Sequence, residues 1–186
     1  LDIVGRLYPK LDALKARMEE RQRAVEEAAR LAQAQGQSIY LHGRVEHAPA
    51  WEQAALALTE NGFAVVPGEP DPVESDPKRL QDVRERRVEA MSGCDALLLL
   101  GTEDGRALDA DLVVVGKHDR QSARSRSNRL LPCGLLDRVG APIATPVRRA
   151  TARIMQAEWL DGTREPWIPE VQRWLMEKSA VAEPTR

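Results

Sequence analysis

The residues best suited to polar chemistry fall in three short, turn-like stretches, each placed directly after an apolar run. Gly43-Arg44-Val45-Glu46-His47 follows the first run, Gly68-Glu69-Pro70-Asp71 the second, and Thr102-Glu103-Asp104 the third. A guanidinium such as Arg44 can hold a phosphate. A carboxylate such as Glu103 can hold a ribose and steady an oxocarbenium-like transition state. Gly43, Arg44, Glu69, Asp71 and Thr102 therefore stand as ligand-binding candidates for a nucleotide or nucleoside. Arg120 is a further ligand-binding candidate, and the stretch His118-Asp119-Arg120 belongs either to the edge of such a site or to a helix terminus. The alternative is that these are acidic surface turns that only keep the domain soluble.

Such turns converge only if strands bring them together. The run Asp95-Ala-Leu-Leu-Leu-Leu-Gly101 cannot alternate in and out, so it wants cover on both faces, as a central strand of a parallel sheet has. In open α/β sheets ligands bind beyond the carboxyl ends of such strands. Ser38 to Gly43 reads as the first strand. Trp51, Ala54, Ala55 and Leu58 then form a helical stripe closed by Asn61-Gly62, and Phe63 to Pro67 reads as the second strand. The loop from Gly68 to Pro77 carries three prolines and four acids, and a loop of that length inside an α/β unit is usually functional or disordered. Residues 78–92 read as a helix, and another should begin near Arg106, because a third crossover is due. The Arg/Ser-rich stretch to Arg129 reads as helix end and loop, and Pro132 to Asp137 as a fourth strand. A helix is expected over 145–160 and a last one over 167–176.

The expectation is an α/β chain with a flavodoxin-like parallel sheet of about four to five strands and helices on both faces. A long N-terminal helix and C-terminal helices complete it. Residues 1–36 read as an N-terminal helix or linker, 37–178 as the domain, and 179–186 as a tail. Over residues 6–35, Leu7, Leu11, Leu14 and Met18 follow a heptad seam broken at Arg21. That segment would pack on the domain, pair with a second copy, or link to a longer protein, and the start at Leu1 favours a fragment.

The 186 residues hold enough chain for a core without disulfide or metal support, and Cys94 and Cys133 read as buried thiols. No stretch approaches a membrane span, and a cytoplasmic location is expected. The net charge of −2 is unevenly spread: residues 1–116 carry net −7, 117–153 net +7, and 154–186 net −2. The basic segment could face nucleic acid, although no aromatic residues are interleaved for base stacking. The other reading is a face that neutralises the acidic half.

No dinucleotide-binding glycine fingerprint or P-loop follows the early strands. His42, His47, His118 and the two cysteines show no metal-ligand spacing, so no metal is assigned. Neither Ser92 nor Ser122 lies in a nucleophile elbow, and a Cys133–His118 pair would put a thiolate at an apolar strand start.

The strand–helix order, the "IYLHG" opening, "ENGFAVVP" and "SGCDALLLLG" together make residues 37–140 resemble a Toll/interleukin-1 receptor (TIR)-like domain. The resemblance implies a flavodoxin-like sheet, with the 67–77 loop in the place of the family's BB loop. It also implies one of two activities: self-association in signalling, often in bacterial defence, or cleavage of NAD at the nicotinamide–ribose bond. Enzymatic members carry a catalytic glutamate on the helix after the third strand. This chain has Asp109 and Asp111 there, and no glutamate between Glu103 and Glu158. Glu103, Asp109 and Asp111 are therefore the catalytic candidates, with NAD or another nucleotide as substrate or ligand. Nucleoside deoxyribosyltransferases have a similar layout, but their Glu-x-Gly turn is not matched. The expected role is a self-associating or nucleotide-sensing module, a homo-oligomer or part of a multidomain protein. The alternatives are an NAD-cleaving or nucleoside-processing enzyme, and a nucleic-acid-facing module.

Overall fold

In the computed structural model, which describes residues 10–24 and 36–182, residues 10–24 are helical (α1). The rest of the expected 6–35 helix lies outside the described residues. Leu11, Leu14 and Met18 of its seam are all exposed.

Five strands form one all-parallel sheet: β1 (Ser38–His42), β2 (Ala64–Val66), β3 (Ala96–Gly101), β4 (Cys133–Asp137) and β5 (Ala157–Asp161). Their order is 2-1-3-4-5, the flavodoxin-like arrangement. The crossovers use α2 (Ala48–Glu60), α3 (Pro77–Ser92), α4 (Gly105–Val113) with α5 (Arg120–Ser127), and α6 (Pro146–Ile154), and α7 (Ile168–Ala182) closes the domain.

Every residue of β3 is buried, because the pleat sends neighbouring leucines to opposite faces. Leu98 and Leu100 join Ile39, Leu41, Trp51, Leu58 and Trp174 under α2 and α7. Leu97 and Leu99 join Tyr40, Val88, Met91, Leu112 and Val115 under α3 and α4. The same parity decides where β1 ends. Ile39 and Leu41 face α2, so Tyr40 and His42 face α3 and α4.

The helix starts follow their local chemistry. Asp76, with Pro77 behind it, accepts a bond from Lys78 N. Asp104 accepts from Ala107 N, and Thr145, before Pro146, from Arg148 N. Gly62, at φ 89°, ends α2 as the Asn-Gly pair requires.

Three expectations are corrected. The 145–160 helix stops at Ile154, and Gln156, at φ 59°, turns the chain into β5. Val147, Ile154, Met155 and Trp159, spaced as the inward stripe of that helix, do not form one: Val147 and Ile154 are exposed, while Ala157 and Leu160 are buried as strand residues. The Arg/Ser-rich stretch is not a loop either. After α4 the backbone makes a π turn (Val114–Asp119) and continues as α5 until Asn128, at φ 55°, ends it. Arginine is a good helix former, and Ser127 donates back to the Ala123 carbonyl. Helix α7 likewise runs through Ala182, past the expected start of the tail. Among the described residues no helix is long and apolar enough to cross a membrane.

Candidate functional site

His42 closes β1 and is only 4% exposed. A short bridge brings the second loop to it: Asp71 N donates to the Gly43 carbonyl at 2.8 Å, and Val45 N to the Asp71 carbonyl at 2.8 Å. Gly43 fits here because a Cβ would lie 2.6 Å from the Trp51 ring. The ten-residue loop is thereby pinned to the carboxyl end of β1. Asp111 arrives from the other side on α4.

The imidazole sits between the two carboxylates. Nδ1 lies 3.5 Å from Asp71 Oδ2, and Nε2 lies 3.2 Å from Asp111 Oδ2. Neither approach is aligned as a hydrogen bond, so both buried ring nitrogens lack a hydrogen-bond partner. Arginines hold the carboxylates from outside. Arg44 grips Asp111 with two bonds, Nε at 3.1 Å and Nη2 at 2.9 Å. Arg87 donates from Nη1 to Asp71 and from Nε to Asp119 at 2.6 Å, and Arg84 adds a bond to Asp119 at 3.0 Å. Asp119 is fully buried and reaches this position from the π turn, a distortion frequent at functional sites.

Burial alone would push the Asp111 carboxyl up, but His42 and Arg44 beside it hold it below the usual carboxylate range. The Arg44 pKa rises through its bonds to Asp111. Burial opposes the charge on Arg87, yet Asp119 and Asp71 raise its pKa all the same. Tyr40, beneath the cluster, has its hydroxyl pushed up by burial and then by Asp71.

Above these groups lies a cleft of about 270 Å³. Its polar wall is His42, Arg44, Asp71, Arg87 and Asp111, its rim carries Glu46 and Glu74, and Val73, Leu80, Val83, Val114 and Val115 supply an apolar side. Carboxylates, guanidiniums and an unpartnered imidazole next to an apolar wall suit a small polar ring with hydroxyl or phosphate substituents.

The cleft brings Arg44, Asp71 and Asp111 together and leaves other sequence candidates elsewhere. Thr102 and Glu103 line a second crevice with Glu46, His47, Gly101 and Arg138. Glu69 lines a shallow groove beside Tyr40 and Pro67. Asp109 faces α6, where Arg148 binds it at 2.7 and 3.1 Å. Arg120 is buried at the amino edge of the sheet, donating to the carbonyls of Leu131, Met155 and Gln156. It serves as a latch between β4, α6 and β5.

Much of the basic 117–153 segment is likewise engaged within the fold. Arg126 pairs with Glu85, Arg129 bonds the Cys94 carbonyl, and Arg138 and Arg149 lie over Trp167 and Trp159. Cys94 and Cys133 are buried free thiols, and burial pushes the Cys133 thiol up to about 11.

Sequence reasoning missed His42, Arg84 and Arg87, and left Asp119 within a stretch that was either a site edge or a helix terminus. His42 reads as part of an apolar strand, and the two arginines read as the solvated face of α3. One signal was available: His42 is the ionisable residue at the carboxyl end of β1, with the parity of Tyr40.

No protein-family model matches this chain, and neither a curated protein nor a solved structure matches it.

Proposed function

We propose that the chain is a TIR-like signalling or effector module that senses a nucleotide in the His42 cleft and acts by self-association within a larger bacterial, defence-type assembly. One observation carries the reading. A buried imidazole, in contact with Asp71 and Asp111 but with no aligned hydrogen bond at either nitrogen, lies on the wall of an open cleft. A ligand hydroxyl or amide could supply the aligned bond that these contacts do not. The cleft also stands beyond the carboxyl end of β1 in a 2-1-3-4-5 sheet, where this architecture places its ligands. The exposed Leu11, Leu14 and Met18 seam supports association between copies.

A second reading, NAD cleavage, is favoured by Asp111, a carboxylate on the helix after β3 that faces the same cleft. Its bidentate pairing with Arg44 neutralises it, which suits ribose binding better than stabilising a cation. A nucleic-acid role ranks third, because so many arginines of the basic segment are held internally.

The test is calorimetric titration with NAD, ADP-ribose and ATP, alongside nicotinamide release at high protein concentration. Sensing predicts saturable binding of at least one nucleotide, lost in His42→Ala and Asp111→Asn, without turnover. Turnover abolished by Asp111→Asn would make the protein an enzyme. No binding of any of the three would overturn both readings.

A further inference from the structure

The second crevice, of about 420 Å³, lies where the chain leaves β1 toward α2 on one face and β3 toward α4 on the other. This is the topological switch point of the sheet. Glu46 and His47 sit on a 3-10 turn (Val45–His47), held by the His47 N bond to the Arg44 carbonyl at 2.9 Å. Asp104 enters from the end of β3. One oxygen of Asp104 is committed, since Oδ1 accepts from Ala107 N at 3.0 Å and caps α4. The other, Oδ2, lies 3.9 Å from His47 Nε2. One donor atom each from Glu46, His47 and Asp104 lies within 4.8 Å of the other two.

A separate observation points to a missing partner. The His47 ring is partly exposed, but its Nε2 atom is shielded from solvent and has no hydrogen-bond partner. A nitrogen withheld from water, with only a carboxylate oxygen 3.9 Å away, carries an unrecovered desolvation cost. A cation between the three groups would recover it.

We propose that Glu46, His47 and Asp104 bind a divalent transition-metal ion, best matched by Zn²⁺. The imidazole argues against Mg²⁺ and Ca²⁺, which take oxygen ligands. Tetrahedral zinc with bonds of about 2.0–2.2 Å sets its ligand atoms roughly 3.3 Å apart, so modest rotation of the His47 and Glu46 side chains closes the site. The Asp104 bond to Ala107 N is the outer contact that fixes a ligating carboxylate. Three protein ligands leave a coordination position open toward Thr102 and Glu103 in the crevice, where water or an anionic ligand would complete the shell.

The ion would also fasten the β1–α2 turn to the start of α4, the helix that carries Asp111. Glu46 lines both the crevice and the His42 cleft, so metal binding would stiffen one wall of the other site. The metal site itself does not depend on the nucleotide reading.

Cobalt(II) titration of the full chain tests this, because Co²⁺ bound by nitrogen and oxygen at low coordination number absorbs far more strongly in the visible than the aqua ion. The expected result is a saturable band at one ion per chain, displaced by Zn²⁺. His47→Gln should abolish it, and Glu46→Gln should weaken Co²⁺ binding roughly tenfold or more. Asp104→Asn keeps the helix cap while removing the charge, and should lose the band with α4 intact by circular dichroism. His118→Gln, at an exposed histidine outside the cluster, should leave the band unchanged. An aqua-like spectrum throughout the titration, or a band that survives His47→Gln, would overturn the proposal. Either result would leave the nucleotide titrations unaffected.

Discussion

Replacing Arg87 with methionine should be among the most damaging single changes near the site. Arg87 is 11% exposed and bonds two carboxylates, Asp71 and the fully buried Asp119. Methionine preserves much of the apolar stem but leaves Asp119 with Arg84 alone, and Arg84 is 43% exposed, so its charge is screened by solvent. Two charge-assisted bonds at about 1.5–3 kcal/mol each bracket the loss, and breaking a buried pair from one side costs about 3–5 kcal/mol. We expect Arg87→Met to destabilise by about 3–5 kcal/mol in urea unfolding, with an unchanged m-value. Asp119→Asn alone should cost about 2–3 kcal/mol, because Arg87 keeps Asp71. Part of the first penalty is an unpaired buried charge, which the double variant no longer has. The double variant should therefore be more stable than additivity predicts by about 1.5–3 kcal/mol. Additivity within about 0.5 kcal/mol would refute the reasoning, because sites without shared interactions behave that way.

Asp111→Asn should lose stability at pH 7, and the loss should shrink in acid. A carboxyl whose folded pKa is depressed contributes stability above its unfolded value of about 3.9, and that contribution disappears as pH falls through the folded pKa. Urea midpoints at pH 7 and below pH 4 check this, and a constant difference would refute it. Gly101→Ala should cost about 1–3 kcal/mol, since the new Cβ would meet the Leu136 carbonyl oxygen at 3.0 Å and Ile143 at 3.1 Å; an unshifted urea midpoint would refute the fit. Leu98→Asp should abolish cooperative unfolding by burying an unpaired charge at a fully buried position of β3, which a thermal melt would reveal. Neither Cys94 nor Cys133 should react with a thiol reagent in the native protein, while both should react in denaturant; fast native labelling would contradict their burial.

The architecture was readable because its largest signal is a physical necessity. Four leucines in a row need cover on both faces, and the crossovers around β3 then follow from right-handed β-α-β connection. The β4–β5 crossover misled for an equally physical reason. Val147, Ile154, Met155 and Trp159 are spaced as a helical stripe, but Gln156 adopts a left-handed conformation that local sequence does not announce, and the chain turns there into an edge strand. The charged cluster was half legible. Arg44 and Asp71 stand on loops that should converge, and Asp111 on the helix that follows β3. Asp119 lay in a stretch read as either a site edge or a helix terminus, and Arg84 and Arg87 were not legible, because an i, i+3 arginine pair on α3 looks the same whether it faces water or a buried aspartate. Glu46, His47 and Asp104 were legible as members of two converging turns but not as a ligand set, since the third member comes from the far side of a crossover and no local spacing joins it to the others.

The cost of the His42 cluster bears on its purpose. Three aspartates and three arginines drawn together beside a buried imidazole stabilise a fold no better, as a rule, than apolar residues of similar volume. Parity makes the point sharper. Tyr40, one pleat earlier on the same face of β1, packs among Val88, Met91, Leu97 and Leu99, so an apolar side chain would have been accommodated on this face. The charges instead gather where β1 meets the cleft, held by a loop bridge, a carboxylate from α4 and a π turn. Such an arrangement fits the proposed ligand-sensing role better than a purely stabilising one, since the His42 ring nitrogens touch two carboxylates without an aligned hydrogen bond beside the polar walls of the cleft.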